Sequence, residues 1–190
     1  MTKYPEQGTV RWYVSEYIRR HIGDTQPPYL EIGSKRDDRQ WWRDLRGQLG
    51  IDPGLWTGLD IEDGPNVDVV CDITTRNFQY GLDKMFGTVL CSEVLEHVKW
   101  PGMALESLWE FLAPGGTLII TVPFAFPVHN FPSDYWRFTP DGMRLLLSTA
   151  GFTGITTEEM NFSTMQLYDH DGIGLERRIP LHIGACCHKP

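Results

Sequence analysis

Acidic and small polar residues stand at the ends of successive apolar runs in this chain. Glu31 and Gly33 close Tyr29-Leu30-Glu31-Ile32-Gly33-Ser34, and Asp60 closes Leu59-Asp60-Ile61. Asp72 closes Val67-Asp68-Val69-Val70-Cys71-Asp72, and Ser92 and Glu93 close Thr88-Val89-Leu90-Cys91-Ser92-Glu93. If these runs are parallel strands, the polar residues gather outside their carboxyl ends, where open α/β sheets bind ligands. A carboxylate at the end of the second strand suits ribose hydroxyls, and one at the end of the third suits an exocyclic adenine amine. Taken singly, each reads as well as a helix cap or a solvated turn residue. Gly33 sits where the first strand turns, so a ligand can approach the backbone there and meet the free N–H groups of a following helix. Position 35 is Lys, so the glycine spacing of a pyrophosphate-binding turn is missing, which weakens a nicotinamide-binding reading.

A second concentration of chemistry lies in residues 123–140, a proline- and aromatic-rich stretch too long for a plain connector. Proline stiffens it, aromatics can wall a small pocket, and His129, Asn130, Asp134, Tyr135 and Arg137 can fix a small polar ligand. Trp136 and Phe138 are expected to pin the loop to the core. Arg137 serves equally well as a ligand contact or as the ion-pair partner of Asp134.

The elements that must position these groups follow from periodicity. Residues 1–24 hold a leading helix over 9–22, with Val10, Val14, Tyr17 and Ile18 on one face. Trp12, Tyr13 and Tyr17 can either lid a ligand or pack on the sheet. Strands are expected at 29–32, 55–61, 67–73, 87–92, 117–122, 155–162 and 181–188. Helices are expected from Asp37 or Asp38 to Leu49, with Trp41, Leu45 and Leu49 inward, and at 101–112 and 141–150. Pro114-Gly115-Gly116 is read as the stop of the 101–112 helix. This alternation predicts an α/β fold with a Rossmann-like, seven-stranded, mostly parallel sheet and helices on both faces, with residues 1–190 as a single domain.

Composition bounds the function. The chain has 190 residues, 41% hydrophobic and 22% charged, with a formal net charge of −8. That acidic balance argues against broad nucleic-acid binding, which runs on phosphate neutralisation by Lys and Arg. No apolar run is long enough to cross a bilayer and no secretion signal opens the chain, so a cytoplasmic protein without a membrane role is expected. Cys71, Cys91, Cys186 and Cys187 have neither disulfide-framework nor zinc spacing and read as reduced and mostly packed, with Cys187 on the exposed side. Asp169-His170-Asp171 is consecutive and glycine-flanked, a solvated turn rather than a metal site, and no metal is expected.

Leu30-Glu31-Ile32-Gly33-Ser34, Gly58-Leu59-Asp60-Ile61, Val69-Val70-Cys71-Asp72-Ile73, Ser92-Glu93-Val94-Leu95-Glu96-His97-Val98 and Leu112-Ala113-Pro114-Gly115-Gly116-Thr117-Leu118 come in a recognisable order and spacing. Together they resemble the class I S-adenosylmethionine (SAM)-dependent methyltransferases, in particular the methyltransferase type 11 group, over about residues 29–125. The closing Ile183-Gly184-Ala185-Cys186-Cys187-His188-Lys189-Pro190 resembles that family's final antiparallel strand. The resemblance implies SAM as cofactor and S-adenosylhomocysteine as product. It implies that Glu31 and Gly33 line the methionine end, Asp60 the ribose, Asp72 with the Ile73 backbone the adenine, and Ser92 and Glu93 the sulfonium, with Ser34 and Ile61 also among the cofactor-binding residues. The family's first glycine turn usually continues with glycine, where this chain has Lys35 and Arg36.

Methyl transfer is an in-line displacement whose rate comes mostly from holding acceptor and methyl carbon at near-attack distance. A hydroxyl or amine acceptor must also lose a proton, and His129 is the expected base, with His97 and Asp134 as second choices. Tyr135, Arg137 and Asn130 are the expected substrate contacts. The favoured acceptor is a small molecule such as a sugar or secondary metabolite; protein or RNA methylation is the weaker reading. The competing class is a SAM-binding or partner-binding module of the same fold that performs no chemistry. Acceptor identity and the choice between monomer and homodimer stay open at this level.

Overall fold

A computed structural model describes residues 6–36, 45–75, 82, 85–129, 133–168 and 174–190. The chain runs α1 (Val10–Ile22), β1 (Tyr29–Ile32), α2 (Leu45–Leu49), β2 (Trp56–Asp60), β3 (Val69–Val70), β4 (Phe86–Ser92), α3 (Pro101–Phe111), β5 (Leu112–Pro123), α4 (Pro140–Thr149), β6 (Thr153–Tyr168) and β7 (Gly174–His188). The strands form one seven-stranded sheet in the order β3-β2-β1-β4-β5-β7-β6. The first five in that order are parallel, and β7 lies antiparallel between β5 and β6. The expected Rossmann-like sheet is therefore the observed one.

Strand residues alternate between two apolar layers. Val89, Cys91, Leu118 and Ile120 face Leu105 and Leu108 of α3 and Met143 and Leu147 of α4. Leu90 and Ile119 point the other way, onto Val14, Tyr17 and Ile18 of α1. Both faces of the parallel strands are thus covered, and burying these side chains is the main source of stability. Thr9 caps α1 by accepting the Trp12 N–H at 3.3 Å, as its residue type and place before the apolar face require. A Cβ on Gly184 in β7 would come within 2.4 Å of the Tyr17 ring, so only glycine lets α1 settle on the sheet there.

Several expected boundaries shift for physical reasons. β3 is two residues long rather than seven, because the Asp68 carboxylate takes the Gly58 N–H at 2.7 Å in place of a ladder bond and Asp72 already begins a turn. The 101–112 helix ends at Phe111, and β5 starts at Leu112 and runs through Pro114-Gly115-Gly116 instead of after it. β6 and β7 extend well past 155–162 and 181–188, pairing as a two-stranded ribbon from Phe162↔Pro180 to Tyr168↔Gly174. Ser163, Thr164 and Gln166 look like loop residues, yet an exposed ribbon accepts them on both faces. Cys187 is buried in the core and Cys186 is the half-buried one, the reverse of the expected exposure. The helix cap expected at Asp37 or Asp38 lies outside the described residues, as does Trp41; α2 is described from Leu45. Among the described residues no helix is long and apolar enough to cross a membrane.

Candidate active site

The sheet order reverses between β1 and β4: the chain moves outward from β1 to β2 and β3, then returns to β4 on the other side. Such a switch point leaves a crevice at the carboxyl ends of the two central strands. A cavity of about 1180 Å³ opens there. It is lined by Glu31, Gly33, Ser34, Asp60, Ile61, Asp72, Ile73, Ser92 and Glu93, every residue expected at the cofactor side, and by His97, His129, Ser133, Tyr135 and His182. Val10, Val14 and Ser15 of α1 also border it, whereas Tyr17 packs on the sheet instead of forming a lid.

The turn after β1 is built by three backbone donors. Gly33 N–H and Ser34 N–H both reach the Leu59 carbonyl, at 2.8 and 3.2 Å, and Lys35 N–H reaches Asp60 Oδ2 at 2.9 Å. Gly33 has φ +71°, and a Cβ on it would lie 2.6 Å from Val94 Cγ2, so the position admits glycine alone. The second Asp60 oxygen accepts Glu62 N–H at 3.1 Å. Lys35 does not point at a ligand; its ammonium sits 2.7 Å from Glu62. Glu31 is buried and accepts from Arg46 Nε at 2.8 Å. Asp72 Oδ1 accepts the N–H and hydroxyl of Thr74 at 2.8 and 2.7 Å, so it holds a turn as well as facing the cavity.

At the other end of the cavity, β4 leads into an irregular turn. Glu93 has φ +54°, rare for a residue with a Cβ, and such conformations collect at functional sites. Glu93 Oε2 lies 3.1 Å from Nε2 of His182, which is buried in β7. The 3₁₀ turn Leu95–His97 follows and carries Glu96 fully inside. Neither Glu96 carboxyl oxygen has a hydrogen-bond partner among the described residues. Burial, with the Glu93 carboxylate nearby, pushes the Glu96 carboxyl well above the usual range. Its Oε1 is 3.5 Å from His97 Nε2 and 4.0 Å from His129 Nε2.

The 123–140 loop comes back over this turn. Tyr135 and Trp136 donate their N–H groups to the Glu96 carbonyl, at 2.7 and 3.3 Å, and the Trp136 indole donates to the Val98 carbonyl at 3.0 Å. Phe138 is buried in the core, as expected. Arg137 forks onto Asp134, with Nη2 2.7 Å from Oδ2, and reaches the carbonyls of Phe126 and Pro127 at 3.1 and 3.0 Å. The guanidinium beside Asp134 holds that carboxyl far below the usual range. Asp134 Oδ2 also accepts His129 N–H at 2.8 Å and lies 3.2 Å from His129 Nδ1. Asp134 and Arg137 therefore serve the loop's own architecture. Asn130 falls outside the described residues, as does the Asp169-His170-Asp171 run.

Two functional candidates escape the sequence reading. His182 opens the closing strand; because β7 is antiparallel, its beginning lies at the carboxyl edge of the parallel strands, opposite Pro123. Glu96 stands in an apolar turn between Leu95 and His97, where a charged residue needs a reason to be inside.

No family model and no curated protein matches the chain. Solved structures do. A SAM-dependent methyltransferase from Archaeoglobus fulgidus superposes with TM-score 0.64 at 16% identity, over 93% of each chain. One from Thermotoga maritima does so with TM-score 0.63 at 15% identity, over 95% of this chain and 89% of that one. The Burkholderia thailandensis 1,6-didemethyltoxoflavin-N1-methyltransferase, with its ligand and S-adenosylhomocysteine bound, gives TM-score 0.58 at 16% identity, over 93% and 76%. The fold is that of the class I methyltransferases. Within a class I methyltransferase fold the cavity lies at the carboxyl edge of β1, β2 and β4, with His97, His129 and His182 at one end and Asp60 and Asp72 at the other.

Proposed function

We propose that this protein moves the sulfonium methyl group of SAM to a hydroxyl or amine of a small-molecule acceptor. One observation carries the reading: Asp60 at the end of β2 and Asp72 in the turn just past β3 line the same cavity as His97 and His129. In this reading Asp60 holds the ribose hydroxyls and Asp72 with Ile73 the adenine. Glu31, Gly33 and Ser34 border the methionine portion, and Ser92 and Glu93 the sulfonium.

The donor is already activated, so the protein's task is to bring the acceptor into line and remove its proton. His129 is the group for that step. Its ring is 37% exposed to the cavity, and its Nδ1 faces Asp134 and the Pro127 carbonyl, which directs Nε2 inward. Asp134, held ionised by Arg137, orients this ring rather than taking the proton itself. Tyr135 and the Glu93–His182 pair border the acceptor. Phe126 and Tyr135 on the cavity wall and the −8 charge favour a small acceptor over nucleic acid. The unpaired cysteines fit a reducing cytoplasm.

Calorimetric titration with SAM and S-adenosylhomocysteine, followed by an assay of S-adenosylhomocysteine release with panels of small hydroxyl and amine acceptors, tests the proposal. Micromolar binding with acceptor-dependent release is expected. Binding without release on any acceptor would make the chain a cofactor-binding module. No binding at all would end the reading.

A further inference from the structure

We propose that Glu96, His97 and His129 hold a divalent transition-metal ion at the acceptor end of the cavity. Their three ligand atoms lie within 4.8 Å of one another, with Glu96 Oε1 at 3.5 and 4.0 Å from the two imidazole Nε2 atoms. Ligands about 2.1 Å from a tetrahedral ion stand about 3.4 Å apart, so a small contraction of the side chains completes the set.

The hydrogen bonds behind the rings decide what must lie between them. His97 Nδ1 meets the Ser133 carbonyl, and His129 Nδ1 meets the Pro127 carbonyl and Asp134 Oδ2. All three partners can only accept, so each Nδ1 carries a hydrogen and each ring turns its Nε2 toward Glu96. Two imidazole nitrogens and one carboxyl oxygen thus converge on one point, the donor set of a small cation. The Glu96 side chain is fully buried, and both its oxygens lack a hydrogen-bond partner among the described residues. A cation bound among these donors would give both oxygens the partner they lack. Imidazole supported from behind by a carboxylate or a carbonyl is the usual arrangement of a metal-binding histidine.

Two imidazoles and one carboxylate suit zinc, iron, cobalt or nickel better than magnesium or calcium, and three ligands leave coordination positions open. His97 and His129 both line the cavity, so those positions face it. The donors are thus distinct from the Asp169-His170-Asp171 run considered from the sequence. Resting on the methyl-transfer reading, with His129 then serving as a ligand in place of its role as base, an acceptor hydroxyl on the ion would lose its proton to water; its oxygen would take the methyl carbon, and the C–S electrons would stay on sulfur to give neutral S-adenosylhomocysteine. Metal binding itself does not depend on that reading.

The test titrates Co²⁺ into the chelator-treated, tag-free full chain, followed by its visible d–d absorption, with Zn²⁺ as competitor. One equivalent is expected to bind and to be displaced by Zn²⁺. His97→Ala and His129→Ala are expected to weaken binding by at least roughly 100-fold, and Asp134→Asn by roughly 10–100-fold, the loss typical of removing a ligand's supporting hydrogen bond. His188→Ala should leave it unchanged. Thermal unfolding and S-adenosylhomocysteine titration of each variant separate a lost ligand from a lost fold, and they test the cofactor reading independently. Failure to bind one equivalent overturns the proposal. So does binding that survives both histidine substitutions, that disappears when residues 169–171 are replaced by alanine, or that shows a thiolate charge-transfer band.

Discussion

Replacing Asp60 with alanine probes the cofactor end most directly. The carboxylate offers about four lone-pair positions. Two are taken by the N–H groups of Lys35 and Glu62, at 2.9 and 3.1 Å, and the rest face the cavity. Two ribose hydroxyls donating to an ionised carboxylate contribute about 1.5–3 kcal/mol each. Taking the lower figure, because water refills the space, Asp60→Ala should cost about 3 kcal/mol of binding, a little over two decades in Kd. Asp60→Asn keeps one acceptor and should lose about one decade. Asp60→Ala also removes two turn hydrogen bonds, and with them about 1–3 kcal/mol of stability. Asp52→Ala supplies the control: Asp52 Oδ1 caps Gly54 N–H at 2.9 Å but does not line the cavity. Isothermal titration with S-adenosylhomocysteine and urea unfolding of the three variants give both numbers. A folded Asp60→Ala protein that binds within threefold of the original would refute the nucleoside assignment.

Three further substitutions test the scaffold. Gly33→Ala puts a Cβ at φ +71° against Val94 and should cost about 2–3 kcal/mol in urea unfolding, with cofactor affinity falling too; Val94→Ala in the same chain should return the collision part while the cost of the left-handed backbone, about 1–2 kcal/mol, stays. Arg137→Ala leaves the buried Asp134 carboxylate without its fork and should destabilise by about 3 kcal/mol, leaving S-adenosylhomocysteine affinity within a few-fold and abolishing turnover; Arg137→Lys should recover only part of this. Gly184→Val drives a side chain into the Tyr17 ring and should loosen α1, read as new proteolytic cleavage within residues 6–24 and a loss of about 2 kcal/mol.

The sequence was most legible where one residue does one job set by strand period. The runs carrying Glu31, Asp60 and Ser92 read correctly as strands whose carboxyl ends share one edge, with Asp72 just past β3 on the same side, because a parallel sheet places every carboxyl end together. It was less legible where polar residues work locally. Asp72 is both a cavity residue and the acceptor of an Asx turn onto Thr74, and no spacing rule separates those roles. Asp68 shortens β3 by capping Gly58 across the chain, a contact ten residues apart that periodicity does not register. His182 was hidden for a different reason. Its meaning depends on β7 running antiparallel, so that its first residues rather than its last reach the ligand edge.

Glu96 joins the two halves of the acceptor end. Its carbonyl accepts from Tyr135 and Trp136 and so fixes the returning loop, while its carboxyl faces the histidine of its own turn and the histidine that the loop delivers. Whatever positive charge settles that carboxyl, proton or metal ion, therefore acts on the same few atoms that set the loop's height over the cavity. Displacing the charge should move Tyr135 and His129 together. The asymmetry with the cofactor end is physical. There, two backbone N–H groups already hold the Asp60 carboxylate in place, so that edge of the cavity is preformed. The other end instead keeps the Glu96 carboxyl buried with neither oxygen hydrogen-bonded among the described residues, so its geometry is set by whatever partner that carboxyl takes.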